Sequence, residues 1–411
     1  MSRRLILIGA PVVLCAGAAF VLLARADGPV ESNVPVDKRL VSANTDFGFK
    51  LFKELVSENK GKNVFISPTS VALALSMTYN GASGGTKKAM ADALALNGMT
   101  LEELNNASAA LLANLEGPGP GVKLEVANSL WARKDITFKP DFMARNTRYY
   151  KAEVASLDFA SPSAVPTINS WVSDHTGGKI KDIIKQIDPL TILFLINAVY
   201  FKGTWSDRFD PANTHPADFT LLDGSKKKVQ MMSRNGKYRY FQGDGFQAIS
   251  LPYGKGRLSK YIFLPDTDSS LAAFCKMLDA ANWEKWMGRF HQVDGDISLP
   301  RFRIEYEAEL QKALTALGMG VAFSPDAADF HDMCPIPPLP NVFISSVTHK
   351  TFVEVNEEGT EAAAATKVEM KTLSAPLQTY EFIVDRPFFC AIRDNKTGAI
   401  LFAGAITDPT Q

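Results

Sequence analysis

The chain has 411 residues, 46% of them hydrophobic and 21% charged, enough apolar material for a large core under a solvated surface. Lys+Arg and Asp+Glu both number 44, and without a basic excess nothing marks the chain as a nucleic-acid or polyanion binder. From the N-terminus, Ser2-Arg3-Arg4, an apolar stretch from Leu5 to about Leu23 and Ala24-Arg25-Ala26 follow the pattern of a secretory signal peptide over residues 1–26. The stretch is also long enough for an uncleaved membrane anchor, which is the competing reading. Cleavage after Ala26 would remove three arginines and no acid, leaving 41 basic residues against 44 acidic. It would also leave Cys275, Cys334 and Cys390, an odd and sparse set that is no disulfide framework.

Residues 27–43 are polar with Pro29 and Pro35 and read as a linker. Helical spacing then starts: Phe47, Leu51 and Leu55 recur every four residues behind an Asn44/Thr45 cap. Ser67-Pro68-Thr69-Ser70 opens a second helix, and further helices are expected over 86–96 and 101–115. Gly117-Pro-Gly-Pro-Gly121 ends the helical region. Strands are expected over 123–131, 193–201, 248–252 and 259–264, with Lys226-Lys227-Lys228 as a solvated hairpin tip. The last third is rich in Val, Ile and Phe, with strands expected over 297–304, 342–347, 352–355, 382–384, 388–392 and 400–405. Helices first and antiparallel strands after give an α+β class. No linker divides residues 44–411, so they read as one large domain.

Residues 357–374 do not fit that pattern of ordinary elements. From Thr360 the even positions are Thr360, Ala362, Ala364, Thr366, Val368 and Met370, while Glu361, Lys367, Glu369 and Lys371 all fall on the odd ones. That is the period of a strand with one wet and one buried face. At 100° per residue the same charges would scatter around a helix, yet Ala, Glu, Lys and Met are good helix formers. Taken alone, the run fits a strand or a surface helix.

Asn356-Glu-Glu-Gly-Thr-Glu-Ala-Ala-Ala-Ala-Thr366 resembles the reactive-loop hinge of an inhibitory serpin. Further strings similar to that family's occur in its order: Asn63-Val-Phe-Ile-Ser-Pro-Thr-Ser70, Asn197-Ala-Val-Tyr-Phe-Lys-Gly-Thr-Trp205, Leu251-Pro-Tyr253, Leu299-Pro-Arg-Phe-Arg-Ile-Glu305, His349-Lys350 and Arg386-Pro-Phe388. The resemblance implies a large central β-sheet with two smaller sheets, about eight or nine helices, and an exposed reactive loop near 356–380. It implies a suicide inhibitor: a serine protease cuts the loop, forms an acyl-enzyme and is trapped when the loop inserts into the central sheet. The hinge would be Glu357, Gly359, Thr360, Glu361, Ala362, Ala363, Ala364 and Ala365. The family's spacing from Gly359 puts the reactive bond at Leu373-Ser374, with Lys371, Thr372 and Met370 as alternatives. A leucine there suits a chymotrypsin-like protease as partner. Ser67, Ser70, Asn197 and His349 match a polar cluster where the sheet opens, and Trp205 matches the tryptophan where the loop enters.

The resemblance implies a monomer with no catalytic residues, cofactor or metal. Heparin is not expected, because residues 101–115 contain no Lys or Arg. A non-inhibitory relative (carrier, chaperone or storage protein) is the alternative, but such relatives typically carry bulky or charged hinges. Gly81-Ala-Ser-Gly-Gly85 fits the hydrolase nucleophile pattern, which needs a strand before the serine; the residues before Ser83 read as a helix. The histidines His175, His215, His291, His331 and His349 are scattered, with no zinc-site spacing.

Overall fold

The computed structural model describes residues 34–188, 191–335, 341–360 and 380–411. Four helices come first: α1 (Lys38–Glu58), α2 (Pro68–Tyr79), α3 (Gly84–Ala93) and α4 (Leu101–Leu115), with β1 (Val64–Ile66) ahead of α2. The sequence placed the start of α1 too late. Asp37 caps it, its side chain accepting from the Arg39 amide at 2.8 Å. Residues 38–43 therefore belong to the folded chain, and buried Leu40 and Ala43 extend the stripe of Phe47 and Leu51 backwards. Thr45 lies inside the helix and returns its hydroxyl to the Val41 carbonyl at 2.8 Å. In α2 every residue is buried, as in a helix enclosed on all sides, and its polar groups are satisfied locally or across the core. Thr69 Oγ1, for example, donates to the Ile400 carbonyl at 2.7 Å. Ser83 stands just before α3, separated from the end of α2 by three residues, so no strand precedes it and the hydrolase geometry is absent.

Next come β2 (Val122–Arg133), α5 (Pro140–Tyr150), β3 (Glu153–Leu157), α6 (Ala164–His175) and β4 (Leu193–Thr204). They are followed by β5 (Thr214–Thr220), β6 (Lys226–Gln242), β7 (Phe246–Tyr253), β8 (Leu258–Pro265), α7 (Leu271–Met277) and α8 (Ala280–Met287). The triple lysine begins β6 instead of forming the turn, which is made by Asp223 capping the Ser225 amide at 2.9 Å. Lys228 pairs with Asp218 across the hairpin at 2.8 Å.

The last third holds β9 (His291–Pro300), β10 (Phe302–Glu309), α9 (Gln311–Leu314), β11 (Ser346–Asn356), β12 (Gly359–Thr360), β13 (Tyr380–Ile383), β14 (Phe388–Asp394) and β15 (Ile400–Ile406). The strand expected over 297–304 is two strands, because the chain leaves one sheet at Pro300 and enters another at Phe302. Pro300 has no N–H to continue a ladder. Of the strand expected over 342–347 only Ser346 and Val347 are strand; they begin β11, which takes in 352–355 and whose polar stretch 348–351 buries His349 and Thr351.

The central sheet runs β10-β11-β12-β4-β2-β3. The two smaller sheets join through the long β6, which pairs with β5, β9 and β7 along its length. One ends in β13; the other continues through β8, β14 and β15 to β1. β1 and β15 pair antiparallel, Val64 opposite Ala405. β4 is covered on both faces: Leu195 and Val199 face the main core, while Phe194, Ile196 and Ala198 belong to a second cluster with Ile168 and Val172 of α6. Its sequence is accordingly an almost unbroken apolar run, interrupted by Asn197.

Candidate functional site

Two neighbouring strands of the central sheet, β4 and β11, meet in parallel from Ser346 opposite Phe194 to Phe352 opposite Tyr200. On their other sides β4 and β11 pair antiparallel with β2 and β10, and parallel pairing is slightly weaker per residue. A row of polar side chains crosses it. Asn128 of β2 stands opposite Asn197 of β4, which stands opposite His349 of β11. The Ser67 amide donates to His349 Nε2 at 3.0 Å, so Nδ1 carries the proton and donates to Asn197 Oδ1 at 2.6 Å. Asn197 Nδ2 donates to Asn128 Oδ1 at 2.6 Å and to Ser70 Oγ. Burial without a carboxylate partner pulls the His349 pKa from 6.5 down to about 3, so the ring is neutral.

Above the row the two strands part and β12 lies between them, antiparallel to both. Thr360 stands opposite Val355 of β11 and Gly203 of β4, and Gly359 opposite Asn356 and Thr204. Gly359 has φ of +154°, and a Cβ there would lie 1.9 Å from the Gly203 carbonyl oxygen, so only glycine fits. The Thr360 side chain is fully buried and its hydroxyl meets the Tyr253 hydroxyl at 2.6 Å.

A strap from β4, residues 205–209, takes three successive carbonyls of the turn before β12. Trp205 Nε1 donates to Asn356 O at 2.9 Å, the Trp205 amide to Glu358 O at 2.8 Å, and the Phe209 amide to Glu357 O at 2.9 Å. The Trp205 ring stacks on Tyr253 with centroids 4.5 Å apart. The Glu357 carboxylate, itself buried, accepts from Arg301 Nε at 2.7 Å and from the Thr214 hydroxyl. Burial alone would raise its pKa, but the Arg301 and Thr214 bonds outweigh that and hold it below the usual value.

Ser67, Ser70, Asn197 and His349 are thus one hydrogen-bonded cluster, and Trp205, Glu357, Gly359 and Thr360 one entry point above it. Glu361 and Ala362 to Ala365, with the bond between Leu373 and Ser374, lie outside the described residues, as does the 1–26 segment. Sequence reasoning missed Tyr253, Thr214, Arg301 and Asn128 as parts of the site. Tyr253 fell within a quoted string, but no local pattern marks a strand residue as facing a partner a hundred positions later.

Among the described residues, the His349 ring is bonded to the Ser67 amide and to the Asn197 side chain, and no serine or cysteine side chain bonds to it. The family model for Serpin (serine protease inhibitor) matches residues 42–409. Human Serpin B8 is 38% identical over 378 residues, covering 90% of this chain and 99% of that protein. Human leukocyte elastase inhibitor is 36% identical over 384 residues, covering 90% of this chain and all of that one (100%). The native-state crystal structure of the thermophilic serpin Tengpin superposes with a TM-score of 0.85 at 33% identity, covering 93% of this chain and 97% of that one.

Proposed function

The chain belongs to the serpin family of serine protease inhibitors and is not an enzyme; from that membership we propose that it is a suicide inhibitor whose cut loop inserts between β4 and β11. The observation that carries the reading is β12, two residues already laid between the parting strands with every bulky group excluded at Gly359. An inserted strand would replace one parallel contact by two antiparallel ones. Continuing the register of β12 along β4 and β11 puts Thr366 between Asn197 and His349, where its hydroxyl could replace the bond that joins them. It also turns the even positions inward with Thr360, so the small and apolar residues enter the core and the charges stay in water.

That register brings Met370 level with Leu193 at the far end of β4. A bond cut at Leu373-Ser374 therefore leaves enough chain to fill the gap, as would one after Met370, Lys371 or Thr372, and the choice of Leu373 rests on the family's spacing from Gly359. A leucine there favours a chymotrypsin-like target, and Leu373→Arg should shift inhibition towards trypsin-like enzymes; an unchanged preference places the reactive bond elsewhere. Secretion rests on the pattern of residues 1–26, ahead of the family match that begins at residue 42. The absence of Lys and Arg from α4 supports action without heparin. The non-inhibitory alternative has no observation in its favour at the hinge.

The deciding experiment mixes the purified protein with chymotrypsin, runs a denaturing gel and sequences the released fragment. A denaturant-resistant band near the summed masses with a fragment starting at Ser374 is expected. Cleavage there by every serine protease tried, with no such band, would return the non-inhibitory reading.

A further inference from the structure

Arg234 of β6 is an unusual arginine. Its side chain is only 11% exposed, its Nε is buried with no acceptor, and its nearest carboxylate oxygen, on Asp207, is 3.9 Å away. An enclosed guanidinium without close ionic pairing is costly, so what it does contact is informative. It lies over the Phe209 ring at 5.2 Å and over the Tyr238 ring at 5.1 Å, and its Nη1 donates to the Asp207 carbonyl. Phe209 and Asp207 both belong to the strap whose Trp205 indole holds the Asn356 carbonyl and whose amides hold those of Glu357 and Glu358. Tyr238 shares β6 with it and donates its hydroxyl to the Arg234 carbonyl at 3.0 Å.

We propose that Arg234 is a positioning residue for trapping: it braces the 205–209 strap, and the strap is the fixed pivot about which the turn at 356–358 feeds the loop into the sheet. This rests on the insertion reading above. The turn needs a fixed end because each residue added to β12 must take its register from the one before. A loosened strap would let the turn rock, slow insertion and leave the acyl-enzyme time to hydrolyse. Arg234 touches no part of the loop described, so it acts through Phe209 and Asp207 alone.

The test compares wild type with Arg234→Met, Arg234→Lys and Phe209→Leu. Arg234→Met should be cleaved at the wild-type rate but need several-fold more inhibitor per protease inactivated. Arg234→Lys, which keeps a cation over the rings, should recover part of the loss, and Phe209→Leu should follow Arg234→Met. Hydrogen exchange should speed up tenfold or more at the Trp205 and Phe209 amides and stay unchanged along β2 and β4. That arm holds whether or not the protein traps a protease, so it separates this proposal from the insertion reading. Unchanged exchange at those two amides in Arg234→Met overturns the brace. Faster exchange with wild-type stoichiometry, in a protein whose wild type does form the complex, overturns its part in trapping.

Discussion

One gap between β4 and β11 is closed in two ways. At its top the closure is backbone: β12 is laddered on both sides, Thr360 is sealed beneath Tyr253, and the strap holds three carbonyls. At its middle the closure is side chain: His349, Asn197, Asn128 and Ser70 hold together strands that otherwise make one parallel contact. The upper end is already shaped for a strand, whereas the middle must exchange one set of hydrogen bonds for another. Changes at the top should therefore decide whether insertion begins, and changes in the middle should govern stability and its response to pH.

The largest effect is expected at the top. Thr360→Arg would put an unpaired charge at a fully buried position. It should leave the loop cleavable and abolish the denaturant-resistant complex; a wild-type yield of complex on a gel would remove Thr360 from the mechanism. In the middle, His349 is neutral when folded, with its pKa near 3, whereas an unfolded histidine takes up a proton near 6.5. The unfolded state then binds the extra proton between those values, so stability should fall as pH drops below 6.5, by up to ~1.4 kcal/mol per pH unit. Urea melts at several pH values should show that slope in wild type and a flatter one in His349→Gln. Parallel slopes would mean the row titrates through another group.

Smaller changes sharpen the contrast at the top. Gly359→Ala drives a methyl into the Gly203 carbonyl and should cost about 1–3 kcal/mol. It should free the Thr360 amide to exchange while His349 and Asn197 keep their protection; loss of protection in both places would mean the two ends are one cooperative unit. Tyr253→Phe removes the single hydroxyl contact to Thr360 and should cost about 1 kcal/mol. Its thermal midpoint should fall by a few degrees, and an unchanged midpoint would show that burial alone holds the threonine.

How much of this was legible beforehand depends on the range of the interaction. Local signals were readable: the helix expected over 101–115 is α4, which starts behind a capping box of Thr100 and Glu103, and the alternation after Thr360 gives the inward face. Thr360 is itself the first buried member of that alternation. Long-range pairings were not. Asn128 looks like any polar residue in a strand, and its place beside Asn197 is set by an antiparallel register across sixty-nine positions. The Arg301 clamp on Glu357 spans fifty-six positions, and β9 and β10 read as one strand because the residue pattern does not say which sheet a strand joins. Elements with weaker patterns, α5 to α8 among them, needed their tertiary partners to be seen at all.

The pairing of β1 with β15 carries a consequence for synthesis. Val64 is made early, and its partner Ala405 comes near the end of the chain. At ~5–20 residues per second, the first strand waits roughly 20–70 s for that partner. The waiting is shared by α2, whose Thr69 hydroxyl is satisfied only by the Ile400 carbonyl, and by Asn63, which donates to the Asp408 carbonyl at 2.7 Å. Nascent chains should therefore expose an apolar N-terminal half throughout translation and depend on holding factors until the last dozen residues emerge. Removing residues from Ile400 onward should leave no folded product, because it takes away the strand that closes the molecule on its own beginning.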